Sequence, residues 1–225
     1  MKVTPLEVLE MVQRTCDRHL YDEVFESATV LKHVDAQSRL EWHVYKIPLV
    51  FSPFISKRDF CVAGRWAITT DGTIVVVLVS TEHPACPPVK KNVRGTIRFA
   101  GYVIKGVAED EKDGEVRSVA SGASIAFASE LMKSTSGESI TPVVPRTALE
   151  TLVWDMLSKH AEADVTFIAQ LDLALPAAVP EMVTKTVLLK QPQTLGKFRE
   201  LVEKTKTKLS EEKLKLYNEA IGRYV

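Results

Sequence analysis

The stretch that decides the fold is SKRDFCVAGRWAITTDGTIVVVLVSTEHPACPPVKKNVRGTIRFAGYVIKG, residues 56–106. Its apolar periodicity predicts three successive β-strands, at about 59–68, 73–80 and 93–104. Gly72 marks a hairpin turn between the first two, because glycine adopts a positive φ without a steric cost. The middle strand is apolar on both faces and is expected in the centre of a sheet. Gly95 and Gly101 indicate a bend or bulge in the third, so the stretch predicts a curled sheet around a hollow.

The first of these strands has two chemically different faces. Phe60, Val62 and Trp66 lie on one face, whereas Arg65 lies on the other among small residues. Small side chains around one guanidinium leave space for a ligand, but the same pattern also describes the outer face of a sheet. The residues alone leave both interpretations open.

Length and composition limit the possible classes of protein. The 225 residues include 29 Lys and Arg and 29 Asp and Glu, so no net charge attracts nucleic acid or an acidic membrane. The longest apolar run, residues 74–79, has strand length and is far short of the roughly 20 residues that span a bilayer. The amino terminus lacks signal-peptide features, so a cytoplasmic protein is expected. Cys16, Cys61 and Cys86 are expected to be reduced thiols, because they form no CxxC pair.

The flanking segments predict further helices and strands. Thr4, Pro5 and Glu7 combine three signals for the start of a helix. A strand at about 39–47 alternates apolar and polar residues, which predicts one buried and one wet face. The remaining predicted elements are a strand at about 24–34, an amphipathic helix at about 147–160, a last strand at about 165–173, a helix after Pro176 that Pro192 interrupts, and a short helix capped by Ser210.

Four segments occur in a specific order and spacing. They are SPFISKRDF, GTIVVVLVSTEHP, PPVKKNVRGTIRFAGYVIKG and DVTFIAQLDLALPAAVPEMVTKTVLLKQPQTLGKFREL. In this order they resemble the StAR-related lipid-transfer family, the START domains. The similarity covers about residues 5–204 with one interruption.

The resemblance implies an α+β helix-grip fold, in which a curved antiparallel β-sheet wraps around a long C-terminal α-helix. It implies that one lipid, a phospholipid, a sterol or a sphingolipid, lies in an apolar tunnel and is carried between membranes or sensed. It further implies transient membrane contact, no catalysis, no cofactor and no nucleic-acid partner. We expect a single START-like domain at 1–204 and a C-terminal helical extension at 205–225.

Three features depart from the usual pattern of the family. We expect the chain to be shortened at its amino terminus and to carry a helical insertion at about 107–163, which covers the open side of the sheet or docks a second copy or another protein. Many relatives also carry a cavity arginine six residues after the arginine of the RDF motif. Here that position is Gly64, and the arginine is Arg65. A shift of one residue turns a side chain to the opposite face unless a bulge at Gly64 restores its direction.

Arg58 is the candidate anchor for the polar end of the lipid, because a guanidinium holds a phosphate or carboxylate through paired donors. The alternative is a structural ion pair with Asp59 or another carboxylate. Arg94 and Arg98 are expected on the solvated outer face. The residues expected to contact lipid are Arg58, Arg65, Trp66, Phe99, Phe167, Leu171, Met182, Val183 and Val187.

Two other functions remain open from the sequence. The first is an interaction or scaffold domain that keeps the fold without a functional tunnel; a continuous apolar void of several hundred Å³ favours the lipid instead. The second is an enzyme similar to polyketide cyclases, which needs an acid or a histidine inside the pocket. No metal site is expected, because the histidines are not spaced as ligands.

Overall fold

The computed structural model describes residues 1–46, 56–107, 157, 162–175 and 191–221. Its elements, in chain order, are α1 (Pro5–Gln13), a 3-10 helix (Thr15–Leu20), β1 (Phe25–His33), β2 (Ser38–Tyr45), β3 (Lys57–Ile68), β4 (Ile74–Ser80), β5 (Asn92–Arg94), β6 (Thr96–Gly106), β7 (Ala163–Asp172), α2 (Gln191–Thr205) and α3 (Glu211–Ala220). The predicted α+β class is confirmed.

The strands form one curved sheet in the order β1-β2-β3-β4-β6-β7, with antiparallel pairing along this path. The short β5 pairs in parallel with β3. The predicted strands within residues 56–106 are confirmed, although the third divides at Gly95 into β5 and β6. A Cβ at Gly95 would lie 2.5 Å from the ring of Phe60, so only glycine fits there. Gly72 has a φ of 78° in the predicted β3–β4 hairpin.

Helix α1 begins where the sequence predicts. The backbone N–H of Glu7 donates to Thr4 Oγ1 over 3.3 Å, and the backbone N–H of Thr4 donates to Glu7 Oε2 over 2.7 Å. This capping box satisfies two backbone donors at the helix start. Leu6 and Leu9 are fully buried in the apolar cluster between this helix and the sheet. The burial of each side chain contributes roughly 1.5–3 kcal/mol to the free energy of folding.

The concave face of the sheet is the face that packs against the helices. Trp66, Val76 and Tyr102 from the sheet share one apolar cluster with Phe198 of α2 and Tyr217 of α3. The rings of Trp66 and Tyr217 meet edge to face, with centroids 5.2 Å apart. Helix α3 therefore packs into the main core, and its predicted Ser210 cap accepts from the backbone N–H of the third helical residue.

Replacing Tyr217 by phenylalanine is expected to lower the free energy of unfolding by about 1–2 kcal/mol. The buried Tyr217 hydroxyl donates to Glu10 Oε2 over 2.9 Å, and phenylalanine keeps the ring contact but loses this bond. Urea unfolding measures the difference. Tyr217→Leu, which also removes the edge-to-face contact with Trp66, is expected to cost more. Equal stability of the wild type and Tyr217→Phe would contradict the prediction.

The prediction of a wet face on β2 is wrong. Its polar residues lie on the concave face, because Glu41 pairs with Val62 and His43 pairs with Phe60. Glu41 and His43 are 0% and 1% exposed, and Leu40 on the opposite face is also buried. Alternation shows which residues share a face, but it does not show which face a sheet turns inward. Both faces of β2 are covered.

Strand β6 contains a bulge that the sequence does not locate. Ile97 pairs with Leu171 and Phe99 pairs with Gln170, so Arg98 is the extra residue on β6. The bulge puts Ile97 on the concave face and Phe99 on the convex face, whereas regular alternation would put both on one face. The sequence signals for a bend were Gly95 and Gly101, and the bulge lies between them.

Some predictions fall outside the described residues. The helix predicted at 147–160 is described only at Leu157, which is fully buried in the main core. The interruption predicted at Pro192 involves residues 176–190, which are not described; Pro192 itself lies in α2. Within the described ranges, no helix is long and apolar enough to cross a membrane.

Candidate functional site

The concave side of the sheet carries a cavity of about 760 Å³, a volume that includes its opening to solvent. Its apolar wall consists of Val24, Phe60, Leu78, Ile97, Ala100, Phe167, Ala169, Leu171 and Leu173. Its polar wall consists of Arg18, Asp22, His43, Tyr45, Lys46 and Arg58.

A second cavity of about 460 Å³ adjoins the first. The two share Arg18, His43 and Leu78 as wall residues. The second cavity is more polar, since its other wall residues include Gln13, Thr15, Tyr21, Gln37, Arg39 and Tyr102. The concave face therefore offers an apolar space next to a polar one.

A buried network on β2 holds the shared wall in place. Glu41 Oε1 lies 3.0 Å from Arg39 Nε and accepts from Thr15 Oγ1 over 2.9 Å. Glu41 Oε2 lies 3.1 Å from His43 Nε2. Burial raises the pKa of Glu41, but the hydrogen bond from His43 and the charge of Arg39 outweigh burial and hold the pKa below its usual value. Glu41 is therefore a carboxylate that orients His43.

Lowering the pH from 7.5 to 5.5 is expected to destabilise the protein by about 1 kcal/mol through His43. Burial lowers the pKa of His43, and Glu41 offsets this only in part. The unfolded histidine gains a proton below about pH 6.5 that the folded one excludes, so stability is lost as the pH falls. Denaturant unfolding at both pH values checks this. His43→Gln should flatten the dependence, whereas the exposed His33→Gln should not.

Arg18, from the 3-10 helix, is the cation common to both cavities. Its Nε lies 3.0 Å from Asp22 Oδ2. Its guanidinium carbon lies 5.5 Å from the ring centre of Phe25 and 5.7 Å from that of Tyr45. Burial raises the pKa of Tyr45 to about 12, so its hydroxyl keeps its proton at neutral pH. The wall here presents a paired cation and a neutral phenol.

Arg58 is buried at the other side of the larger cavity and bonds backbone carbonyls. Its Nε donates to Leu173 O over 2.7 Å, and its Nη atoms donate to Ser56 O and Ala174 O. Burial lowers the pKa of Arg58. Asp59, the partner considered from the sequence, instead bonds Arg94 and Trp42, whose Nε and Nε1 atoms lie 3.0 and 2.9 Å from its carboxylate. Arg94 is therefore a structural partner of Asp59.

Three predicted site residues lie away from the larger cavity. The pairing of β3 with β2 and with β4 runs without a shift, so Gly64 carries no bulge. Arg65 pairs with Val77 and shares its convex face, although the strand itself borders the second cavity at this point. Trp66 borders the second cavity and packs on Tyr217. Phe99 packs with Val77 on the convex face, because of the bulge at Arg98.

Phe167 and Leu171 both line the larger cavity. They lie on β7, where alternate residues, Phe167, Ala169 and Leu171, face the cavity. Gln170 pairs with Phe99 and points away from the cavity. Met182, Val183 and Val187 lie outside the described residues.

The sequence missed the residues that make the wall polar. Arg18 was missed because a short 3-10 helix has no periodic signal. Glu41 and His43 were assigned to solvent with the rest of their face. The sequence carried no signal of their burial, because ionisable residues on one face are also the ordinary pattern of a solvated strand face.

Within the described ranges, no three histidine, cysteine or acidic side chains cluster as metal ligands would. The buried groups Arg39, Glu41, His43 and Thr15 instead bond each other. The arrangement suits an organic ligand with one polar end and a long apolar part.

Comparisons with known proteins address the fold and the family. A sequence profile of the START domain matches residues 1–118, just over half of the 225 residues. Human STARD10 is similar over 90% of this chain and 60% of its own, at 14% identity and a TM-score of 0.56. The human StarD13 (DLC2) lipid transfer and protein localization domain is similar over 89% and 72%, at 18% identity and 0.56. Human StAR-related lipid transfer protein 5 is similar over 91% and 70%, at 19% identity and 0.53.

A curved antiparallel sheet with C-terminal helices packed on its concave face defines a helix-grip protein. The matched profile identifies the family within this fold. The chain belongs to the START domain family. It spans 60% of the length of the STARD10 structure. Membership supports lipid binding or transfer in general terms.

Proposed function

We propose that this chain binds a single lipid in the concave cavity and carries it between membranes or senses it. The supporting observation is the cavity of about 760 Å³, whose wall is apolar along β3, β4, β6 and β7 and polar toward β2 and the 3-10 helix. Such a division suits a molecule with a hydrocarbon part and one polar end. Phe167 and Leu171 contact the hydrocarbon, and Met182, Val183 and Val187 are kept as proposed lipid contacts.

Arg58 keeps a place in this proposal as a buried positive charge at the cavity wall. Three carbonyl oxygens accept its donors, and in the described part of the chain no carboxylate accepts from it. A guanidinium has five N–H groups, so donors remain for water or for a carbonyl or ester oxygen elsewhere on the lipid. Arg65 and Phe99 are left out of the proposed set, because they share the convex face with Val77.

Lipid recovered from purified protein tests the proposal. Native mass spectrometry of protein purified from cells, followed by extraction, is expected to show one bound lipid for each chain. Transfer of labelled lipid between liposomes is expected to rise with protein concentration. Folded protein that binds no phospholipid, sterol or sphingolipid would overturn the proposal and favour the scaffold alternative.

A small-molecule enzyme is the second candidate, and one observation favours it. His43 lies in the cavity wall, and the carboxylate of Glu41 lies 3.1 Å from its Nε2. Such a pair is able to move a proton to or from a bound molecule. Incubating the extracted ligand with fresh protein separates the two functions. Recovery of the ligand unchanged supports a carrier, whereas conversion that His43→Gln abolishes supports the enzyme.

A further inference from the structure

His43 carries a buried ring nitrogen that has no hydrogen-bond partner in the described part of the structure. The ring is 1% exposed and lies in the wall shared by both cavities. Its Nε2 bonds Glu41, whereas its Nδ1 has no hydrogen-bond partner within the described structure. Buried polar atoms in native proteins nearly always have a partner, so an open one calls for a ligand or a water.

The Glu41 network fixes the chemical character of that nitrogen. A carboxylate accepts hydrogen bonds, so the ring hydrogen of His43 lies on Nε2. Arg39 and Thr15 hold Glu41 in this role from its other oxygen. Burial lowers the pKa of His43, which keeps the ring neutral at pH 7. Nδ1 is therefore an acceptor, and its partner must donate a hydrogen.

A complementary group lies in the wall of the same polar cavity. Gln13, at the end of α1, has a buried Nε2 that also lacks a partner within the described residues. An amide NH₂ is a donor, so the polar cavity offers one open acceptor and one open donor. Arg18 and Arg39 in the same wall pair with Asp22 and Glu41, which leaves their charges balanced. Arg65 also borders this cavity, but it pairs with Val77 on the convex face of the sheet.

We infer that the ligand's polar end is an uncharged hydroxyl group, whose hydrogen is donated to His43 Nδ1 and whose oxygen accepts from Gln13 Nε2. The inference rests on the proposed function and specifies its ligand. A hydroxyl both donates and accepts, as this cavity requires. A phosphodiester or a carboxylate has no hydrogen to give to Nδ1. The polar cavity holds the hydroxyl, and the adjoining apolar cavity holds the hydrocarbon.

Matched pairs of lipids test the inference directly. Cholesterol is compared with its ketone cholestenone, and dioleoylglycerol is compared with its O-methyl ether, because each second member accepts but does not donate. Uptake from neutral vesicles is expected to favour the hydroxyl member of at least one pair by tenfold or more. Equal uptake within both pairs overturns the inference, and it would indicate that a water alone occupies the site.

Two variants separate the two hydrogen bonds. His43→Phe keeps a ring without the acceptor, so the preference for the hydroxyl member is expected to fall below about threefold. Gln13→Met removes the donor, so uptake of both members is expected to fall while their ratio persists. His33→Phe is the matched control, because His33 is an exposed residue of β1. It should change neither the uptake of the lipids nor the preference for the hydroxyl member. A preference that survives in His43→Phe overturns the inference.

A further variant covers the case in which His43→Phe does not fold. In Glu41→Gln the amide donates to Nε2, which moves the ring hydrogen to Nδ1. The preference for the hydroxyl member is then expected to disappear, because Nδ1 now suits the acceptor-only member. Uptake of phosphatidylcholine alone by the wild type overturns the inference but keeps the proposed function. Uptake of none of these lipids overturns both.

Discussion

Replacing Glu41 by leucine is expected to lower the free energy of unfolding by about 3–5 kcal/mol. Glu41 is fully buried and bonds Arg39, Thr15 and His43 at once. Leucine fills similar space but leaves the guanidinium of Arg39, whose side chain is 18% exposed, without its carboxylate. An uncompensated buried charge is among the few single changes with so large a cost. Denaturant unfolding at pH 7.5 gives the value.

The double variant Arg39→Met with Glu41→Leu is the decisive control. Apolar residues of similar volume often replace a buried ion pair without a loss of stability. The double variant is therefore expected to be more stable than Glu41→Leu alone, although it contains one more substitution. A single variant that loses less than about 1 kcal/mol, or a double variant that is no better, would show that the pair is not held as described.

Replacing Gly101 by alanine is expected to cost about 3 kcal/mol, at the upper end of the range for overpacked positions. A Cβ at Gly101 would lie 2.1 Å from the carbonyl oxygen of Val76, a backbone atom of the neighbouring strand. Gly101 pairs with Val77 on one side and with Ile168 on the other. The backbone must therefore shift within the centre of the sheet. Thermal and urea unfolding measure the loss.

Two other glycines provide controls for this prediction. Gly64→Ala meets only the flexible tip of Leu78 at 3.1 Å, so its cost is expected to be below about 1 kcal/mol. Gly196→Ala, in α2, meets nothing within 4 Å and is expected to stabilise by about 0.5–1 kcal/mol, because alanine favours the helix. Similar losses at Gly101 and Gly64 would contradict the close approach of β4 and β6.

The sequence was sufficient for the elements whose signals are local. Thr4 and Glu7 predicted the start of α1, and Gly72 predicted the β3–β4 hairpin. The doubly apolar run predicted a central β4, and alternation predicted the inward face of β7. Each of these predictions depends only on residues close in sequence or on the periodicity of one strand, and both can be read from the sequence alone.

The candidate site was harder, because its residues depend on contacts between distant segments. Arg18 reaches the cavity from a 3-10 helix, and the inward direction of His43 depends on which side the sheet curves. The single extra residue Arg98 reversed the face of Phe99 relative to Ile97. Pattern alone does not fix a bulge, since one residue is enough to exchange the two faces.

The polar row on β2 sets stability against the proposed binding of a ligand. Selection for folding alone would favour apolar residues at Arg39, Glu41 and His43, because such replacements remove the cost of burying charge and leave no open nitrogen. A library of variants screened only for thermal stability should therefore be enriched in apolar residues at these three positions. Variants from such a screen would be more stable but would lack the groups proposed to bind the ligand. Engineering of this fold should therefore keep these three residues unchanged.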